Sequence, residues 1–167
     1  PDQASEVFAG WDKGPLKSYL IEITAKVLAA MDPETGKPMV EVIADQAGQK
    51  GTGRWTLIEA LKLGLSATTI DAAVAARSFS AAKAVRVAGD ALFDAPAPAA
   101  PPGAAELGQA LLAAKIIAYD QGLTLLAAAS SNFGWSLDLA RVAEIWRAGC
   151  IIRSALLDDI SRAVRAG

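Results

Sequence analysis

Apolar residues in this chain return at helical spacing and rarely alternate, and that periodicity most restricts what it can fold into. Leu16, Leu20, Ile23 and Val27 make one stripe of a helix predicted from about Pro15 to Met31. Pro15 suits its first turn, and Asp32-Pro33-Glu34-Thr35-Gly36 stops it. Met39, Val40, Val42 and Ile43 fit a short helix or a strand, and periodicity does not separate the two. A Gly-rich turn from Gly48 to Gly53 leads into a helix from about Trp55 to Leu63, ended by Gly64. Thr68 or Thr69 can cap the next helix, which holds Asp71 in its first turn and runs to about Arg77. Ser80 can cap another that carries Lys83 and Arg86. The longest helix spans about Ala104 to Ser130 and breaks at Asn132-Phe133-Gly134. Asp138 opens a helix with Leu139, Val142 or Ala143, Trp146 and Cys150 inward, and a final turn or helix covers Leu156 to Val164. These segments predict an all-α fold, a helical bundle around one or two central helices.

Composition narrows the function classes. Apolar residues make up 53% of the 167 residues, which is enough for one domain with a core and excludes a disordered tail. With 16 basic and 18 acidic residues, the net charge of -2 leaves no footprint for nucleic acid. A small anion needs only two or three placed cations and stays possible. Histidine is absent, which removes imidazole bases, Ser-His-Asp triads and His-ligated metals. Cys150 is the sole cysteine, so no disulfide framework or zinc knuckle exists, and a reducing cytoplasm fits best. No metal site is expected. The most apolar stretch, Leu111 to Ala129, is interrupted by Lys115, Asp120 and Gln121, which argues for a buried helix of a soluble protein and against a membrane span. Residues 95–103 hold four prolines and no charge, the composition of a stiff extended connector.

Chemistry concentrates in Ile43 to Trp55. Glycines at 48, 51 and 53 permit positive φ and close approach of a ligand. Lys50 supplies a mobile charge and Thr52 a hydroxyl, and the turn runs straight into a helix whose free N–H groups favour an anion. Two better-known patterns are excluded. Gly48-x4-Gly53 has Walker spacing, but Arg54-Trp55 stands in place of Lys-Ser/Thr. Gly51-x-Gly53 has Thr56 where a dinucleotide fingerprint needs its third glycine, and no βαβ pattern surrounds it. Arg77 could hold a phosphate bidentately; as a cation at a helix C-terminus it could equally complement the dipole, and the residues alone favour the second role. Lys83 and Arg86 read as a solvated face. Arg147 and Arg153 flank apolar Gly149 to Ile152 and read as buried structural pairs. Cys150 and the four tryptophans read as packing. Glu22 and Glu59 read as surface charges, and no carboxylate pair stands out for acid–base work.

The segment Asp45-Gln46-Ala47-Gly48-Gln49-Lys50-Gly51-Thr52-Gly53-Arg54-Trp55 resembles the signature of the 6-phosphogluconate dehydrogenases, an Asp followed by Ala-Gly-Gln-Lys-Gly-Thr-Gly-x-Trp. Four further blocks agree in order: Trp11 to Thr24, Ala73 to Ser80, Lys115 to Gly122 and Ile145 to Ser154. The resemblance spans nearly the whole chain and weakens around residues 92–105.

The resemblance implies oxidation and decarboxylation of 6-phosphogluconate to ribulose 5-phosphate with hydride passed to NADP, in a homodimer whose subunits join an N-terminal Rossmann domain to a large helical domain. It places residues 1–167 as a partial all-helical C-terminal domain. It assigns substrate binding to Lys50, the substrate phosphate to Arg77 and a hydroxyl near that phosphate to Thr52. The family's catalytic Lys and Glu are expected before residue 1. Its last substrate Arg and His are expected after residue 167, in a tail supplied by the partner subunit. No catalytic residue is therefore assigned here, and the chain by itself is expected to be inactive. Two other readings compete: a helical association module without a competent ligand site, and the C-terminal domain of a related β-hydroxyacid dehydrogenase. The full Ala-Gly-Gln-Lys-Gly-Thr-Gly-x-Trp run argues against the latter.

Overall fold

Helical periodicity is realised almost everywhere in the computed structural model, which describes residues 1–94, 100 and 102–167. Among the described residues there are nine helices and no strand: α1 (Asp2–Trp11), α2 (Tyr19–Ala29), α3 (Met39–Val42), α4 (Thr52–Lys62), α5 (Thr68–Ala81), α6 (Lys83–Leu92), α7 (Ala104–Phe133), α8 (Leu139–Ile145) and α9 (Leu156–Ala166). The fold is all-α, as the sequence predicts. The Pro/Ala connector expected at 95–103 lies mostly outside the described residues.

Several boundaries shift for identifiable reasons. The helix expected from Pro15 begins at Tyr19, because Ser18 is extended and pairs antiparallel with Ser154. The Tyr19 amide donates to the Arg153 carbonyl at 3.2 Å, and the Ala155 amide to the Lys17 carbonyl at 2.9 Å. A pairing between distant segments thus overrides the local helical pattern. The inward face of α2 is the Ile21–Ala25 line, continued by buried Leu16, whereas Leu20 and Ile23 of the expected stripe face out. Helix α1, unanticipated from sequence, packs on α2, and its Ser5 hydroxyl donates to the Ala25 carbonyl at 3.0 Å.

The undecided segment at Met39 is helical. The helix through Arg77 does not stop there but continues to Ala81, so Arg77 lies inside α5 and cannot act as a C-terminal dipole cation. Ser80 lies within the same helix and caps nothing; α6 starts after Ala82 without a side-chain cap. Neither Thr68 nor Thr69 caps α5. Gln121 of α7 does so from outside: its side-chain oxygen accepts from the Thr69 amide at 3.0 Å, and its amide donates to the Thr68 hydroxyl at 3.0 Å. Asp138 caps α8 as expected, accepting from the Arg141 amide at 2.9 Å.

Helix α7 is the spine, started by Glu106, whose carboxylate accepts from the Gly103 amide at 2.9 Å. By length and composition it could cross a membrane. Of its polar interruptions, Lys115 and Gln121 are nevertheless tied to neighbouring segments, whereas Asp120 is exposed. Lys115 Nζ donates to the Leu16 carbonyl at 3.2 Å and to the Ser18 hydroxyl at 3.0 Å, and Tyr119 donates to the Ile152 carbonyl. Burial lowers the Lys115 pKa, partly offset by Asp12. The expectation that α7 is buried is not met within the chain: only Gly108, Leu123 and Ala129 are buried, and Leu107, Ile116, Ile117 and Phe133 face out. Of the positions expected to face inward from α8, Ala143 is buried, with Ala140 beside it, whereas Leu139, Val142, Trp146 and Cys150 are only half-buried.

Candidate functional site

Between α3 and α4 the chain runs without regular structure from Ala44 to Lys50 and lies along α5. Side chains substitute for backbone pairing there, residue by residue. The Gln46 amide group donates to the Ala81 carbonyl at 2.9 Å, and the Ala47 amide to the Ser80 hydroxyl at 2.9 Å. The Arg77 guanidinium donates to the Gly48 carbonyl. Gln49 reaches the Val74 carbonyl at 3.2 Å and the Ser78 hydroxyl at 2.7 Å. At the loop's start Arg86 of α6 pairs with Asp45 at 3.1 Å. That guanidinium, with its charge beside Asp45, holds the carboxyl below its usual range.

The loop delivers the chain to Gly51, which precedes α4 in the left-handed region at φ 98°. Glycine is required there because a Cβ would strain that backbone. Gly53 has a different task from the one its spacing suggests. A Cβ at Gly53 would stand 2.8 Å from Val74 Cγ2, so its hydrogen lets α4 press onto α5. Gly48 has an ordinary φ. Only one of the three glycines therefore serves positive φ, and the close approach at Gly53 is to the protein itself.

Helix α4 has no side-chain cap, and its first backbone bond is from the Trp55 amide to the Gly51 carbonyl at 3.0 Å. The amides of Thr52, Gly53 and Arg54 consequently have no backbone acceptor among the described residues, and they point where an anion gains from the helix dipole. Lys50 precedes this end, is exposed, and has no side-chain hydrogen bond among the described residues. Thr52 forms the first residue of α4 and is exposed too. Of the three expected site residues, Lys50 and Thr52 thus flank the open helix end, and Arg77 is brought to the same loop through Gly48.

Sequence reading overlooked Arg86, Ser80, Gln49 and Ser78, the groups that hold this loop. Arg86 is not a solvated cation: besides Asp45 Oδ2 it binds the carbonyls of Asp45 at 2.8 Å and Ser80 at 3.1 Å. Local sequence carries no signal for a pairing across 41 positions. Arg147 and Arg153 are structural, as expected, but not buried. Arg147 pairs with Asp158 at 2.6 Å in the open, and Arg153 stacks over Tyr19 at 4.1 Å from the ring centroid. Cys150 is half-buried and donates to the Trp146 carbonyl. Among the tryptophans, Trp11 packs against Gly108, whereas Trp55 and Trp135 are exposed. Among the described residues no group of His, Cys, Asp and Glu could hold a metal ion.

The family profile described as 6-phosphogluconate dehydrogenase, C-terminal domain, matches residues 1–167. The chain belongs to the 6-phosphogluconate dehydrogenase family. It is 46% identical to the decarboxylating 6-phosphogluconate dehydrogenase of Candida albicans over 170 residues, covering 98% of this chain and 33% of that protein. It is also 46% identical to the NADP(+)-dependent, decarboxylating enzyme of Bacillus subtilis, covering 97% of this chain and 36% of that one. The structure superposes with a TM-score of 0.87 and 38% identity on 6-phosphogluconate dehydrogenase of Plasmodium falciparum, over 99% of this chain and 37% of that one. That enzyme is described in its apo form, with its cofactor NADP+ and with its substrate 6-phosphogluconate. The chain therefore spans about a third of the length of the curated relatives it matches.

Proposed function

We propose that this chain is the substrate-phosphate-binding and subunit-contacting part of an enzyme that oxidatively decarboxylates 6-phosphogluconate to ribulose 5-phosphate, with NADP accepting the hydride. The observation that carries the reading is the convergence of Arg77, through Gly48, on the loop that presents Lys50 and the uncapped start of α4. Lys50 supplies charge at the substrate. The α4 amides and the Thr52 hydroxyl donate to anionic oxygens, and Arg77 clamps the phosphate. These groups bind and orient; none is a base or an acid for the chemical step. The absence of a strand among the described residues supports leaving NADP to a different part of the whole protein.

The homodimer rests on surface area. The chain exposes 11388 Å², whereas a compact monomer of 17.2 kDa exposes about 7,800 Å². Exposed apolar side chains such as Ile116 and Ile117 of α7 are surface suited to cover by further protein, a second subunit among it. This area also supports the bare association module as a second reading. Titration with 6-phosphogluconate separates the two: binding that weakens in Lys50→Ala supports the substrate site, and equal binding by both proteins refutes it. The purified chain should form no NADPH, and detecting any would refute its assignment as a non-catalytic part.

A further inference from the structure

The 6-phosphogluconate reading assigns roles to Lys50, Thr52 and Arg77 but not to the groups that hold their loop in place. Arg86 belongs to a different helix and forms the first and most branched of these contacts. Its Nη1 meets Asp45 Oδ2 at 3.1 Å, and its Nη2 bridges the carbonyls of Asp45 at 2.8 Å and Ser80 at 3.1 Å. The Ser80 hydroxyl then accepts from the Ala47 amide at 2.9 Å. Arg86 Nε is buried and has no partner among the described residues, while the side chain as a whole keeps 37% of its surface exposed. A lysine could neutralise Asp45, but it lacks the planar guanidinium that meets Asp45 Oδ2 through one nitrogen and both carbonyls through the other.

We infer that Arg86 is a positioning residue: by joining Asp45 to the Ser80 carbonyl it fixes the start of the 45–50 loop and so sets where Lys50 stands. The inference rests on the substrate reading for its consequence, but not for its structural half. Asp45 supports it from the other side, since its carboxylate is the ion-pair partner of the same guanidinium at 3.1 Å. No other cation forms an ion pair with Asp45 among the described residues.

The test uses a lysine-specific endoprotease on the full chain without ligand. Lys50 lies in the loop, and Lys13 and Lys62 serve as internal controls. In Arg86→Gln, cleavage after Lys50 should quicken on the order of tenfold while cleavage at the control sites changes little. Asp45→Asn should do the same, and the double variant should add little to either. Arg86→Lys should restore only part of the protection. Unchanged cleavage at Lys50, or equal acceleration at all three lysines, overturns the inference. As a second readout, 6-phosphogluconate should bind Arg86→Gln several-fold more weakly; selective loop opening with unchanged affinity also overturns the positioning role. Failure of the substrate reading would show separately, as no binding by the unaltered chain.

Discussion

Gly53 and Val74 meet so closely that a methyl group at Gly53 would stand 2.8 Å from Val74 Cγ2. This contact sets the distance between α4 and α5, and with it the position of the open α4 end beside the loop that Arg77 holds. Gly53→Ala should therefore destabilise the chain by about 1–3 kcal/mol through overpacking, although alanine is the better helix former. Urea denaturation checks this. A midpoint equal to or above that of the unaltered chain would show that the two helices are free to separate.

Arg77 should discriminate phosphate from the sugar acid. Its guanidinium donates to the Gly48 carbonyl and retains further N–H groups for a ligand. Arg77→Lys keeps the charge but loses the fork, and should weaken 6-phosphogluconate binding by about tenfold or more, while binding of unphosphorylated gluconate changes little. Calorimetric titration of both ligands provides the ratio. If both affinities fall together, Arg77 shapes the loop but does not grip the phosphate.

What the sequence made legible was set by the range of the interactions involved. The existence of most helices, the Asp138 cap and the Lys50–Thr52 turn depend on neighbours a few positions apart, and these were readable; α1 was not, and the segment at Met39 stayed undecided. The start of α2 depends on Ser18 pairing with Ser154, and the N-terminus of α5 on Gln121, more than fifty positions away. The exposure of α7 was hidden for another reason. An apolar helix predicts burial, but not whether the covering surface belongs to the same chain. At the site, the residue types of the loop suggested an anion cradle. The order of the motif blocks identified the family. The supporting contacts from Arg86, Ser80 and Ser78 had no pattern to reveal them.

Gln121 should act as a cap for α5 although it belongs to α7. Replacing it with leucine leaves the Thr69 amide without its acceptor and the Thr68 hydroxyl without its donor. The expected loss is about 1 kcal/mol, or about 2–4 °C in melting temperature. Hydrogen exchange at Thr69 should quicken more than at the middle of α5. Uniform exchange across the helix would mean that the contact holds α5 and α7 together and caps nothing.

Glu144 makes the stability of the α8–α9 end depend on acid. Its carboxylate accepts from Arg165 at 2.6 Å, Arg141 at 2.9 Å and the buried Ser161 at 3.1 Å. The Arg165 and Arg141 hydrogen bonds chiefly hold its pKa at about 2, against an ordinary 4.5. The folded value lies below the unfolded one, so the unfolded chain binds the proton first. The stabilisation is therefore complete above about pH 5 and lost as pH falls from there toward 2. Glu144→Gln should lower the urea midpoint at pH 7 and flatten its dependence on pH between 5 and 2, with the two proteins converging at the acid end. Parallel curves across that interval would mean that other carboxylates govern the acid limb and that the Glu144 contacts are too solvent-screened to matter.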